Sequence, residues 1–131
     1  MTNAQAGILA GETKLARYLT FSLKSSSKAK NALVSLKSIT DHENTVIGLG
    51  KSLILTLGCK IDGLRTMQAQ SANGIGIPST PDALWIWLRG SDRGELYHRS
   101  RTIEMTLNEA FELTSAIDSF QYDKNRDLSG Y

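Results

Sequence analysis

Two strand-like segments constrain the fold of this chain more than any other feature of its sequence. Within residues 16–23 and again within residues 83–90, large apolar side chains at alternate positions form one set, and the side chains between them form a second set. The first set consists of Leu19, Phe21, Leu23, Leu84, Ile86 and Leu88. Successive side chains of a strand lie on opposite faces of a sheet. The alternation therefore predicts one face that packs under helices and a second face that carries Tyr18, Trp85 and Trp87.

The segments between and after these strands predict the other elements. After an extended lead at residues 7–9, three serines at 25–27 offer N-caps to a helix whose apolar residues keep helical spacing as far as Ile39. Residues 45–50 are β-branched and end in glycine, which predicts a strand, and a short helix over 51–57 then ends at Gly58. Asp92 and Glu95 resemble a capping box for a helix that ends near residue 107, and residues 111–122 form the last strand.

This order of elements predicts the fold class. Strand, helix, strand, short helix, strand, helix and strand make an α+β, ferredoxin-like sandwich with one extra helix. Its four-stranded sheet is antiparallel, has the first and third strands in the centre, and carries the helices on one face. The 131 residues suit a single domain, 1–131. Residues 60–82 form a long loop within it, of a length that is usually functional or mobile.

The face with Tyr18, Trp85 and Trp87 is unusual for a domain that has helices on one side only. Such a sheet normally shows water a polar second face. Two tryptophans and a tyrosine add on the order of several hundred square ångströms of apolar surface, more than a monomer normally exposes. We therefore expect a cover. A second domain or a second copy of the chain is one candidate, and the 60–82 loop folded over the face is the other.

Composition and charge exclude several classes of function. The basic residues of the first half, among them Lys24, Lys28, Lys30 and Lys37, are spaced as the wet side of a helix, so no nucleic-acid partner is predicted. No apolar run approaches the roughly 20 residues of a membrane span. The single cysteine, Cys59, allows no intramolecular disulfide and is predicted to be a buried, inert thiol. These features, with no basic and apolar leader, predict a soluble, cytoplasmic protein.

Three sets of residues suggest chemistry only weakly. The segment Gly48, Gly50, Lys51 and Ser52 lacks the earlier glycine of a phosphate loop, so it predicts a tight turn between strand and helix. His42 and His98 lie among charged residues and have no neighbours at metal-ligand spacing. Asp123, Arg126 and Asp127 form a polar cluster whose simplest interpretation is a solvated tail. No catalytic set can be assembled from these residues.

A series of short motifs nevertheless resembles one known family over nearly the whole chain. The motifs are Gln5-x-Gly7-Ile-Leu9, Ala16-Arg-Tyr-Leu-Thr-Phe-Ser-Leu23, Val46-x-Gly-Leu-Gly50, Pro78-Ser-Thr-Pro81, Leu84-Trp-x-Trp-Leu-Arg-Gly90, Asp92-Arg-Gly-Glu-Leu96, His98-Arg99 and Arg126-Asp-Leu-x-Gly130. Most are weak singly, but in this order they resemble the dye-decolourising (DyP-type) peroxidases, especially the bacterial branch. The resemblance implies a haem b peroxidase that uses hydrogen peroxide to oxidise dyes and phenolic compounds and is built from two ferredoxin-like halves.

The resemblance also implies that this chain corresponds to the N-terminal half only. In the family, the run that contains Arg126, Asp127 and Gly130 leads into an acidic segment with the distal aspartate, which would follow Tyr131. The distal arginine and the proximal histidine belong to the second half. We therefore carry over Arg126, Asp127 and Gly130 only as the stem of the haem-pocket motif, with no catalytic residue and no haem expected in this chain alone.

A second interpretation is a non-catalytic interaction module that forms homodimers or higher oligomers through its sheet. Its interface residues would be Tyr18, Trp85 and Trp87. Here two copies would pair sheet to sheet about a two-fold axis.

Overall fold

A four-stranded sheet with helices against one face forms the centre of the computed structural model, which describes residues 4–129. The elements in chain order are α1 (Ala6–Leu9), β1 (Leu15–Leu23), α2 (Ser26–Ile39), β2 (Thr45–Leu49), α3 (Lys51–Thr56), β3 (Gln70–Ala72), β4 (Ile75–Ile77), β5 (Leu84–Gly90), α4 (Arg93–Leu107) and β6 (Phe111–Phe120). A 3₁₀ turn, Asp123–Asn125, follows β6.

The strand order of the main sheet is β2-β5-β1-β6, and all three pairings are antiparallel. The first strand and the strand at 84–90 lie in the centre, as predicted. The register shifts between Thr20 and Phe21 where β1 pairs with β6. This irregularity bends the edge strand locally.

The core lies between this sheet and the two long helices. Phe21, Leu84, Ile86 and Leu88 contribute the sheet side and are each 0% exposed. Helix α2 buries Ala29, Ala32 and Leu36, and α4 buries Leu96, Ile103 and Leu107. The α+β, ferredoxin-like prediction, with helices on one face of an antiparallel sheet, is confirmed.

The ends of the helices follow local chemistry only in part. The Asp92 side chain accepts a hydrogen bond from the backbone N–H of Glu95 at 2.7 Å, which caps α4 as the sequence predicts. Ser25 is the N-cap residue of α2, but its side chain makes no capping hydrogen bond and instead contacts the Ser27 hydroxyl at 3.2 Å. Gly58 adopts a φ of 71°, the left-handed conformation expected after α3.

Two local predictions, at residues 7–9 and at Cys59, are wrong. Residues 7–9 belong to the single helical turn α1 and are not extended. The long loop over residues 60–82 contains a small hairpin, because β3 and β4 pair within it. Cys59 is exposed, since α3 ends before it and the chain turns outward. Within residues 4–129, no helix combines the length and apolar character that a membrane crossing needs.

Candidate functional site: the open face of the sheet

The face of the main sheet opposite the helices carries the aromatic residues that the strand alternation predicts. We call it the open face. Antiparallel pairing places Val46 beside Trp87, Trp87 beside Tyr18, and Tyr18 beside Ile117, so one apolar row crosses all four strands. Trp85 lies in the next row, between Gly48 and Thr20. Ile117, at the β6 end of the first row, is 59% exposed.

The three aromatic rings form one cluster. The ring centroids of Tyr18 and Trp85 are 5.8 Å apart, and those of Tyr18 and Trp87 are 6.1 Å apart. Both pairs are stacked, with interplanar angles of 16° and 30°. Stacking of this kind stabilises the cluster by about 0.5–1.5 kcal/mol per pair beyond area burial. The rings stay only partly buried.

Glycine at position 48 leaves room for the Trp85 indole beside β2. A Cβ atom at this position would come within 3.3 Å of the Trp85 ring carbon Cε3. A larger side chain on β2 would therefore push the indole away from the sheet. Gly48 serves packing on the open face.

The N-terminal segment, residues 5–13, covers one end of this face. The Gln5 side-chain amide donates to the Ile47 carbonyl at 2.7 Å, and its oxygen accepts from the Ile47 N–H at 2.9 Å. Gly7 packs so closely on Val46 that an added Cβ would lie 2.8 Å from Val46 Cγ2. The segment thereby closes part of the edge strand β2.

Arg89 also binds the N-terminal segment, through hydrogen bonds to its backbone. It lies on the open face, is 2% exposed, and its guanidinium stacks over the Trp87 ring at 4.9 Å from the centroid. Its terminal nitrogens donate to the backbone carbonyls of Gly7, Ala10 and Gly11. This buried arginine was missed in the sequence; the signal was a charged residue in an apolar strand, on the same face as the two tryptophans.

A cavity of about 450 Å³ opens between this segment and the C-terminal end of β6. We call it the open-face cavity. Its walls include Tyr18, Trp87 and Arg89 from the sheet, Lys14 from the segment before β1, and Asn125 from the 3₁₀ turn. The predicted interface residues Tyr18 and Trp87 thus share a concave site, whereas Trp85 lies outside its lining.

The hydrogen bonds of the 60–82 loop join residues of the loop to one another. Strands β3 and β4 pair with each other, and Ser79 Oγ donates to the Met67 carbonyl at 2.6 Å. All six residues of the two strands are exposed. The hydrogen bonds found for residues 60–82 stay within the loop and give no support to its serving as the cover of the open face.

The predicted haem-pocket stem lies in an exposed turn after β6. Tyr122 and Arg126 form an isolated antiparallel bridge, and the Asp127 side chain accepts from the Ser129 N–H at 2.8 Å. Both Arg126 and Asp127 are exposed. Gly130 lies outside the described residues.

The two imidazoles do not face the open side of the sheet. His42 is exposed in the turn before β2, and His98 is exposed on α4. Neither lines the open-face cavity. Among residues 4–129, no group of three His, Cys, Asp or Glu side chains is arranged to hold a metal ion.

The glycine-rich segment at 48–52 is a tight turn, as the sequence predicts. The Gly50 N–H donates to the Ala83 carbonyl at 2.8 Å, so it is not available to a phosphate. A Cβ at Gly50 would lie 2.0 Å from the Asp82 carbonyl oxygen, which only glycine avoids. Close packing of β2 against β5 accounts for this glycine.

Arg99 and Asp41 organise the end of the sheet on the helix side. Arg99 donates from α4 to the carbonyls of Arg89 and Asn44 at 2.9 and 2.8 Å. Asp41 accepts from the backbone N–H groups of Asn44 and Glu43, and the Asn44 hydrogen bond is the main reason that its pKa lies below the ordinary value. These contacts fix the turn before β2, the start of β2 and the end of β5.

Comparison with known proteins gives matches among solved structures alone. No protein-family model matches the chain, and no curated protein matches it. A Shewanella oneidensis structure described as a DyP-type peroxidase superposes with a TM-score of 0.81 at 20% identity, over 100% of this chain and 47% of that chain. DyPB from Rhodococcus jostii RHA1 gives 0.80 at 20%, over 98% and 46%. The encapsulated DyP-type peroxidase from Mycobacterium smegmatis gives 0.78 at 17%, over 99% and 46%.

These matches define a class of fold. The chain has a ferredoxin-like fold that also occurs within larger proteins, and it spans about half the length of the structures it resembles. Those structures are DyP-type peroxidases, and variants of the Rhodococcus protein were solved in complex with heme. The resemblance inferred from the motifs is therefore confirmed at the level of the fold.

Proposed function

We propose that this chain is the N-terminal half of a DyP-type haem peroxidase. The observation that carries the proposal is the match of the entire chain to about half of each such structure, in agreement with motifs that occur in family order from Gln5 to Gly130. The complete protein would bind haem b and use hydrogen peroxide to oxidise dyes and phenolic compounds. The lone cysteine is compatible with the reducing cytoplasm, which we propose as its location.

In this proposal, residues 1–131 alone are inactive. The resemblance assigns the distal Asp, the distal Arg and the proximal His to sequence beyond Tyr131. Without an axial ligand and a distal acid, a haem would lack both its anchor and the group that moves protons during peroxide cleavage. Arg126, Asp127 and Gly130 would position the segment that carries the distal aspartate.

Haem titration of the 131-residue chain tests this assignment. We expect no Soret band with one haem per chain and no peroxide-dependent oxidation of a phenolic dye. The Rhodococcus DyPB protein, measured in the same buffer, is the positive control. Stoichiometric haem binding with peroxidase turnover by residues 1–131 alone would overturn the inactive-half proposal.

Sequencing the reading frame downstream of Tyr131 tests the family assignment separately. An in-frame Asp-Gly-Thr-Glu-Asn-Pro segment supports the peroxidase-half proposal. A continuation without such a segment, or a stop codon at that point, argues for the second candidate.

The second candidate is a non-catalytic module that self-associates through the open face. It is favoured by the partly exposed stack of Tyr18, Trp85 and Trp87 beside the exposed Ile117, an apolar row of the kind that interfaces cover. Two copies would pair these rows about a two-fold axis.

Sedimentation at micromolar concentration distinguishes this candidate. We expect a dimer that Ile117→Lys converts to monomer, because the lysine places a charge in the apolar row. Val34→Lys is the matched control, since Val34 is similarly exposed, at 63%, but lies on α2. A monomeric parent chain, or equal effects of the two substitutions, would exclude pairing through the open face.

A further inference from the structure

Arg89 is a buried cation with an incomplete set of partners. Its residue is 2% exposed, and three backbone carbonyls accept from its terminal nitrogens. Its Nε–H has no acceptor, and among residues 4–129 no carboxylate lies within 4 Å of the guanidinium. Neutral carbonyls alone compensate poorly for the burial of a full positive charge.

Trp87 lies beside it with a second unsatisfied donor. The indole Nε1–H is shielded from solvent and has no hydrogen-bond partner among the described residues. A buried N–H without an acceptor has lost its hydrogen bond to water and gained none in return, which destabilises the folded chain. Such groups in a folded protein call for an explanation, such as an ion or ligand that completes them.

Both side chains line the open-face cavity, and its charges favour an anion. The charged lining consists of Arg89, Lys14 and Glu12. Glu12 Oε2 accepts from Asn125 Nδ2 at 2.6 Å and from Gln121 Nε2 at 3.4 Å, and both of these amides also line the cavity. Arg89 and Lys14 outnumber the single Glu12 carboxylate, so the lining is cationic on balance, and Tyr18 and Trp87 supply an apolar wall beside it.

We propose that the open-face cavity is a binding site for a small carboxylate with an apolar or aromatic body. The carboxylate oxygens would accept from Trp87 Nε1 and Arg89 Nε, and Lys14 would add attraction at the rim. The apolar body would lie against the aromatic wall. A cavity of about 450 Å³ falls in the range of small-molecule sites.

Binding also requires a movement of the N-terminal segment. Both N–H groups are shielded in the free chain, and the segment held by Arg89 includes the carbonyls of Gly7, Ala10 and Gly11. The helical turn α1 therefore shifts when the ligand oxygens reach the two donors. This links occupancy of the cavity to the backbone of residues 6–11.

Nitrogen-15 NMR of the 131-residue chain with benzoate as the probe tests the proposal. The chain has two tryptophans and hence two indole N–H signals, which Trp87→Phe and Trp85→Phe assign. We expect benzoate to move the Trp87 indole signal downfield and to shift amide signals of residues 6–11, with saturation. The Trp85 indole should stay in place, because Trp85 does not line the cavity. Benzamide, which has the same ring and no charge, should cause neither change.

Charge variants supply the second measurement. Lys14→Gln should weaken benzoate binding about two- to five-fold, as expected for an exposed charge. Lys30→Gln, on the exposed side of α2, is the matched control and should have no effect. Arg89→Lys should abolish saturable binding, and if that variant does not fold, Lys14→Gln decides alone.

Two outcomes overturn the proposal. One is an unmoved Trp87 indole signal at tens of millimolar benzoate, and the other is an equal response to benzamide. The carboxylate site does not depend on the peroxidase-half proposal. Haem binding and dye oxidation by this chain can therefore fail or succeed without changing the benzoate result.

Discussion

The two faces of the main sheet are built from the same strands but differ in how deeply their side chains are buried. On the helix face, Phe21, Leu84, Ile86 and Leu88 are each 0% exposed beneath α2 and α4. On the open face, Tyr18, Trp85 and Trp87 are only partly buried, and a short segment held by Arg89 through its backbone carbonyls covers one end of the face. The pleat of the strands thus separates fully buried core residues from residues that remain partly exposed.

The two faces also differ in how the positive charge of a buried or partly buried arginine is compensated. Arg17, on the helix face, forms a two-point ion pair with Asp118 at 2.8 and 2.9 Å and lies 5.7 Å from the Tyr97 ring centroid. Arg89, on the open face, has no acidic partner among residues 4–129. A carboxylate compensates the charge of Arg17, while backbone carbonyls and the Trp87 ring compensate that of Arg89. The open face therefore has both partly exposed apolar side chains and a buried positive charge without an acidic partner among the described residues.

The largest predicted effect is a difference in the free energy of unfolding between two variants, with one substitution on each face. Ile86→Ala removes buried methyl groups and leaves a cavity, so we predict a loss of about 2–5 kcal/mol in the free energy of unfolding. Ile117→Ala makes the same change at a residue that is 59% exposed on the open face, and we predict a loss of about 1 kcal/mol or less. Urea denaturation of both variants measures the difference.

The outcome of this pair bears on the state of the open face. Equal losses for the two isoleucines would mean that Ile117 is buried in solution, as it would be in a dimer. Repeating the denaturation at a series of protein concentrations separates that case, since the stability of a dimer depends on concentration.

The second test concerns the Arg17–Asp118 ion pair. Asp118→Asn removes the charge and keeps the shape, and Asp118 is 38% exposed. We predict a loss of about 1 kcal/mol or less, which shrinks at high salt. Lys60 and Asp62 form a fully exposed pair in the long loop, so Asp62→Asn should change the unfolding free energy by far less and serves as the control. A loss at Asp118 that salt does not reduce would argue against a charge effect.

Sequence reasoning found the elements because their signals are local. The alternation around Phe21 and Ile86 and the cap at Asp92 depend on neighbours within a few residues, and they predict the elements and the aromatic face. The strand order follows from the order of those elements along the chain. The roles of Tyr18, Trp85 and Trp87 as interface residues, and of Arg126, Asp127 and Gly130 as a stem, remain predictions.

The open-face cavity could not be predicted in this way, because it depends on contacts between residues far apart in the chain. Arg89 is joined to residues 7–11 across about eighty positions. The helical turn at Ala6–Leu9 forms where Gly7 fits against Val46, and its four residues are too few to show a helical period. An arginine at the end of an apolar strand was the one visible signal of this arrangement.

The smallest predicted effect lies at the turn that joins the helix face to the edge strand. Since hydrogen bonding from the Asn44 backbone lowers the pKa of Asp41, the folded state binds the Asp41 proton more weakly than the unfolded state does. The stabilisation from this carboxylate is therefore complete above about pH 4 and is lost as the pH falls through the folded pKa. Asp41→Asn keeps an acceptor but cannot ionise, so the stability advantage of the parent chain over this variant should be largest near neutral pH and should vanish in acid. Urea denaturation of both proteins across this range measures it, and an advantage that grows as the pH falls would show that the carboxylate is not held by the turn.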